Sequence, residues 1–171
     1  MHQHTGNWAG KTVENAKGKY IFNGSNYNLV DIPGTYSLMS YSEEEEIARN
    51  YICFSKPDCI IVVADATNLE RNLNLLYQIM EMNNRLILCV NLLDEARKKG
   101  IKIDLKKLED EIGIPVVGTI AHKKKSLKKL MQKVEDVCKK NELINVKTLE
   151  YKRFYWKCNR RNKEKYKNRW W

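Results

Sequence analysis

Arg85-Leu86-Ile87-Leu88-Cys89-Val90-Asn91-Leu92-Leu93-Asp94 is the stretch that decides the fold. Five apolar residues stand in a row between Arg85 and Asn91. A strand with one wet face alternates apolar and polar residues. An unbroken run reads instead as a strand covered on both faces, as in parallel sheets. Asp58 to Asp65 and Pro115 to Gly118 read the same way. Helical patterns lie around and between these runs. Leu69 to Met82 places Leu69, Leu73, Leu76 and Ile79/Met80 at helical spacing. Leu105 to Ile112 is a short helix closed by Gly113. Ser126 to Lys139 is amphipathic, with Leu127, Leu130, Val134 and Val137 on one side. Upstream, Ser42 with Glu45 three residues on forms a capping box for a helix near 43–53. Lys19 to Phe22 and Tyr27 to Asp31 read as a hairpin turning through Asn23-Gly24-Ser25-Asn26. Strands alternating with helices imply an α/β fold with a doubly wound, mostly parallel sheet. No internal repeat is visible.

The 171 residues suffice for one domain with a real core, and 43% hydrophobic with 30% charged residues describes a globular chain. The longest apolar runs are too short to cross a bilayer, and the polar N-terminus has no signal-peptide pattern. The five cysteines never pair at C-x-x-C spacing. Cys59 and Cys89 fall in predicted strands and are expected to act as small core hydrophobes, which fits a reducing, cytoplasmic setting. The net charge of +10 is uneven. Lys147 to Trp171 holds 10 basic and 2 acidic residues, which leaves the body at only +2. Residues 141–171 form a basic, aromatic tail expected to bury little and to be poorly ordered. Such a tail also suits an anionic membrane surface or RNA, although nucleic acid is not the expected partner of the domain. His2 and His4 lack further ligands and make no metal site.

In a doubly wound sheet, ligands bind at the carboxyl ends of the strands. Asp31-Ile32-Pro33-Gly34 follows one strand. Its carboxylate can hold a Mg²⁺ ion through water, and Gly34 lets a backbone N–H approach a phosphate. Taken alone, it reads first as a strand and a Pro-Gly turn. Asn91-Leu92-Leu93-Asp94 follows another strand. A carboxylate there can accept the two N–H groups that guanine offers and adenine lacks, while the Asn braces the loop and reaches the base edge. Alone, it reads equally as a helix cap. Thr119-Ile120-Ala121 follows the third strand, and a small residue there would let a backbone N–H meet the guanine oxygen.

These three segments occur in order, each after a strand, and together they resemble a translation-factor-like G domain. Longer stretches narrow the likeness. Gly6-Asn7-Trp8-Ala9-Gly10-Lys11-Thr12-Val13-Glu14, Asp31 to Leu38, and Asp65-Ala66-Thr67-Asn68-Leu69-Glu70-Arg71-Asn72-Leu73 resemble the G domain of ferrous iron transport protein B over residues 2–137. The resemblance implies a partial G domain over residues 1–140 that binds GTP and GDP and works with a membrane permease. By position, Gly10, Lys11, Thr12, Val13 and Glu14 would be the first switch, with Thr12 on Mg²⁺ and the γ-phosphate. Asp31, Ile32, Pro33 and Gly34 would serve the Mg²⁺ shell and the γ-phosphate. Asn91, Leu92, Leu93 and Asp94 would read guanine, and Thr119, Ile120 and Ala121 would cap its oxygen. Gly6 and Trp8 match positions whose backbone carbonyls hold K⁺ in the family. No glutamine follows Gly34, and the family does without one.

The sequence departs from that pattern in lacking G-x-x-x-x-G-K-[ST]. Gly10-Lys11-Thr12 imitates its end, but Thr5 stands where the first glycine is needed. Lys11 stands where the family usually has an apolar residue. The expectation is a fragment without the first strand, phosphate loop and first helix, two inner sheet edges left unpaired, and weak or no GTP hydrolysis. Alternatives remain: a loop supplied by a second chain, a ribosome- or RNA-associated GTPase, or an inactive remnant.

Overall fold

The structure is a computed structural model that describes residues 16–35, 37–38 and 42–139. The first switch, residues 6–14, and the basic tail lie outside the described residues. β1 (Ala16–Phe22) and β2 (Ser25–Asp31) form an antiparallel hairpin of their own. The turn is tighter than the sequence suggests, because Ser25 and Asn26 already belong to β2. Asn23 and Gly24 both take positive φ, at 47° and 77°. An Asn-Gly pair adopts that two-residue turn at low cost, and its twist matches the strands.

β3 (Ile60–Asp65), β4 (Leu86–Asn91) and β5 (Val116–Gly118) make a parallel sheet with β4 in the middle. Ile60 pairs with Leu86 and Asp65 with Asn91, so the tips of β3 and β4 lie level. Among the described residues, neither hairpin strand pairs with β3. Among the described residues the strands therefore fall into two separate sheets.

One face of the parallel sheet is covered by α1 (Glu43–Phe54), α2 (Leu69–Met82), α3 (Leu93–Lys98) and α4 (Leu105–Ile112). Ile60, Val62, Ala64, Leu88 and Val90 meet Ile52, Leu76, Ile79, Ala96 and Ile112 there. The other face carries α5 (Lys124–Lys139), whose Met131, Val134 and Val137 pack on Ile87 together with Phe22 from the hairpin. Leu127 does not join them and is 40% exposed. Met131 lies one turn on and takes the place that the spacing assigns to Leu127.

β4 is buried throughout its apolar run, as its composition predicts. β3 is not. Val63 is 61% exposed, although it sits mid-strand in an unbroken apolar stretch. α5 lies over β4 and β5 and leaves this end of the face uncovered. Cys59 stands just before β3, half-buried, and burial pushes its thiol up to about 12. Cys89 is fully inside the core.

The hairpin is held to α5 by a polar clamp as well as by Phe22. The Asn23 amide donates to Glu135 Oε2 at 2.8 Å, and Lys139 Nζ meets Oε1 at 2.6 Å. These donors, Lys139 first, hold the Glu135 carboxyl below the usual carboxylate range. The Thr67 backbone N–H does the same for Asp65. A depressed carboxylate contributes stability that is complete above its unfolded value, about pH 4, and is lost as pH falls through the folded value. The melting temperature should therefore drop as pH falls below about 4. Thermal unfolding followed against pH should show a shallower acid limb for Glu135→Gln than for the unaltered chain.

Candidate functional site at the strand tips

β4 ends at Asn91, and the chain then turns sharply through Leu92, whose φ is 61°. For a non-glycine residue this left-handed conformation costs roughly 1–2 kcal/mol. It starts α3 at once, a helix that the apolar pattern does not announce, and it places Asp94 in the first helical turn. The simple cap reading of Asp94 is not realised, since α3 has no side-chain cap bond. Instead, Asp94 Oδ1 is buried and accepts no hydrogen bond. Burying a carboxylate oxygen without a donor is costly, and native structures rarely leave one so unless a ligand or water supplies it.

β5 ends beside this turn. Gly118 pairs with Val90, and Thr119 N–H donates to the Val90 carbonyl at 2.8 Å. Leu93 N–H reaches the Thr119 carbonyl at 3.4 Å. The Thr119 hydroxyl donates to Asn91 Oδ1 at 3.1 Å. A Cβ on Gly118 would lie 2.5 Å from methyls of both Leu93 and Leu105, so only glycine lets the two loops close together without rearrangement. Ile120 is fixed from the far side: Ser126 Oγ accepts from its N–H at 3.2 Å and approaches its carbonyl at 2.9 Å. Ala121 follows, exposed. The structure therefore brings Asn91, Leu92, Leu93, Asp94, Thr119 and Ile120 into one corner. The Ser126 brace was missed, because a lone serine near a helix start carries no distinctive signal; α5 in fact begins two residues before it.

Asp31 is the last residue of β2, in the other sheet, and Ile32, Pro33 and Gly34 follow it. They are tied to the same core, because Ile32 packs against it and Leu38 is buried within it. The segment beyond Gly34 is pinned to two helices. The Thr35 hydroxyl donates to Glu45 Oε1 at 3.1 Å, and Leu38 N–H donates to Gln78 Oε1 at 2.6 Å. Ser42 does cap α1 through Glu45 N–H. The Glu45 side chain, however, serves Thr35 rather than closing the capping box. Its Oε2 is a second buried acceptor without a donor. No hydrogen bond joins Asp31 to the Asn91–Asp94 corner among the described residues. Gly6, Trp8, Gly10, Lys11, Thr12, Val13 and Glu14 lie outside them. Among the described residues there is no cluster of three metal-ligating side chains, and no helix is long and apolar enough to cross a membrane.

Comparison with known proteins agrees with the fold. The family model for ferrous iron transport protein B matches residues 1–134. The Fe(2+) transporter FeoB of Campylobacter jejuni is 42% identical over 129 residues, which are 75% of this chain and 21% of that protein. The Escherichia coli transporter FeoB is 39% identical over 153 residues, 87% of this chain and 19% of its own length. The chain thus spans about a fifth of these curated relatives. Among solved structures, the cytosolic domain of the T. maritima FeoB iron transporter in a GDP form superposes with a TM-score of 0.75 at 41% identity, covering 82% of this chain and 55% of that one. The FeoB G-domain from Methanococcus jannaschii gives 0.71 at 44% identity, covering 75% and 80%. With the match running through most of its length, the chain belongs to the ferrous iron transport protein B family.

Proposed function

We propose that this chain is a guanine-nucleotide-binding portion of a ferrous iron transport GTPase, with residues 1–140 forming the G-domain part. The observation that carries the reading is the buried Asp94 Oδ1 without a donor, beside Asn91 at the end of the central strand. A carboxylate held there is completed by the paired N–H groups on the guanine edge, and an adenine would leave it unsatisfied. Solved relatives support the reading, since the T. maritima cytosolic domain has been obtained in GDP and GMPPNP forms. Ala121 and the Ile120 backbone would close over the guanine oxygen.

The phosphate side would use Asp31 and Gly34 together with Thr12. Asp31 is an exposed carboxylate at a strand end. Such a hard oxygen donor suits Mg²⁺ held through water, with Thr12 as the direct ligand. The metal would neutralise phosphate charge there. Gly6 and Trp8 would offer backbone carbonyls to K⁺. In the cell the domain would serve a permease at the cytoplasmic side of a bacterial inner membrane, through guanine-nucleotide binding with weak or no hydrolysis by these residues.

The 171 residues contain no G-x-x-x-x-G-K-[ST]. Charge-assisted bonds from such a loop contribute about 1.5–3 kcal/mol each. Without three or four of them, a micromolar site weakens to roughly millimolar. Titration of the chain with GDP and ADP, followed by saturation-transfer NMR, should show roughly millimolar GDP binding and no ADP binding. Equal binding of the two would remove the guanine reading. Submicromolar GDP binding would show that other groups replace the loop.

A further inference from the structure

The apolar stripe of α5 outruns its cover. Met131, Val134 and Val137 are buried, while Leu127, one turn earlier on the same stripe, is 40% exposed. Lysines surround it along the helix start: Lys123, Lys124, Lys125, Lys128 and Lys129 are all exposed. Residues 124–133 hold five lysines and no acidic residue. Among the described residues, only Lys133 of these five reaches a carboxylate, that of Glu109 at 3.9 Å.

Folding does not ask for this arrangement. The first turn of a helix is the positive end of its dipole and favours carboxylates, yet the first turn of α5 has none. Lys124 with Lys128, and Lys125 with Lys129, stand four residues apart, where like charges repel. An anionic surface brought to this end of the helix would relieve both costs. Nucleic acid and phospholipid both offer phosphates, but the side chains here distinguish them. Residues 123–133 contain no aromatic residue and no arginine, so nothing is present to stack on a base. An exposed leucine ringed by lysines instead matches the boundary between headgroups and acyl chains. There the leucine enters the apolar layer and the lysine stems keep their ammonium groups among the phosphates.

We propose that the N-terminal half of α5 is a docking surface for an anionic phospholipid bilayer, with Leu127 as the apolar contact and Lys123, Lys124, Lys125, Lys128 and Lys129 as the headgroup-binding rim. The inference goes beyond the guanine-nucleotide reading and does not depend on it. It gives the domain a contact with the membrane surface itself, made by side chains that the core leaves free. The basic residues of 147–171 add an attraction common to every variant of the chain, so the test is a comparison of single positions within the full sequence.

The test is flotation of the full 171-residue chain with mixed phosphatidylglycerol–phosphatidylcholine vesicles and with pure phosphatidylcholine vesicles. The unaltered chain should float with the anionic vesicles and stay behind with the neutral ones. Lys124→Gln combined with Lys128→Gln should weaken partitioning about twentyfold or more, since each lysine near an anionic surface contributes about fivefold. Leu127→Gln leaves every charge in place and should still weaken it about threefold to tenfold. The three positions are exposed, so these variants should melt with the unaltered chain; if Leu127→Gln does not fold, Leu127→Ala should lower partitioning in the same direction. No preference for anionic vesicles would overturn the proposal. Partitioning unchanged by the lysine pair would assign the attraction to another part of the chain and overturn it too. A loss with the lysine pair but none at Leu127 would mean charge adsorption without the apolar contact, which also ends it. Poly(U) binding that falls with the lysine pair while vesicle binding stands would make the patch a nucleic-acid surface instead.

Discussion

Asp94→Asn should exchange the base preference of the site from guanine to xanthine. The substitution keeps the shape of the side chain and turns one acceptor into a donor. Guanine would then present its amino group to an NH₂, which leaves two donors facing each other. Xanthine carries a carbonyl at that position and would meet the new donor correctly. A site built on such pairing rejects the mismatched partner strongly, and the loss for GDP should be about a hundredfold or more. GDP binding should therefore vanish from saturation-transfer spectra while xanthosine diphosphate binds the variant as GDP binds the unaltered chain. Unchanged GDP affinity in Asp94→Asn would mean that the buried Oδ1 is completed by something other than the base. The fold should tolerate this change, because Asp94 makes no cap bond that α3 depends on.

Leu88→Ala and Val63→Thr should differ sharply in stability although both replace an apolar residue in the parallel sheet. Leu88 is wholly buried in β4, the strand paired on both edges, and touches the core formed with α1 and α2. Truncation leaves a cavity among side chains that are themselves held on both sides, and the expected cost is about 2–5 kcal/mol. That is a large part of the roughly 5–15 kcal/mol by which ordinary domains are stable. Val63 faces the other way on β3, at 61% exposure. Its replacement by threonine, also β-branched, should change stability by no more than about 0.5 kcal/mol. Thermal or urea unfolding measures both. A cost above 2 kcal/mol for Val63→Thr would show that this face is covered in solution.

The contrast marks where one-dimensional reading stops. Apolar runs at 60–64, 86–90 and 116–117 set three strands, and the helical spacing of Leu69 through Met80 set the helix between the first two. Burying a continuous apolar run demands cover on both faces, and only a parallel sheet wound with helices offers it. Ser42 and Gly113 mark helix ends because their chemistry is local: a hydroxyl reaching an N–H three residues on, and a residue free to take a φ of 81°. The hairpin turn is legible for the same reason, although its length is not: the reading through Asn26 is two residues longer than the turn at Asn23 and Gly24.

Other features were not local and so were not legible. α3 is six residues long, too short to show a period, and it begins directly after the left-handed turn at Leu92. Glu45 looked like half of a capping box, and only the folded chain brings Thr35 within reach of its carboxylate. Val63 and Leu127 carry the apolar signature of core residues. Whether a helix lies over them depends on where α5 crosses the sheet, which no spacing along the strand encodes.

The sequence by itself determined the class of fold, the order of its elements, the family, and the residue types waiting at the strand tips, because these follow from periodicity, caps and contiguous motifs. Tertiary structure alone decided that Asn91, Asp94 and Thr119 share one corner, that an Asp94 oxygen is buried there without a donor, and that Thr119 touches both Cys89 and Asn91. The physical reason is that hydrogen bonds between strands are made across β4 and β5, by residues 28 and 30 positions apart, and burial is a property of what packs above them.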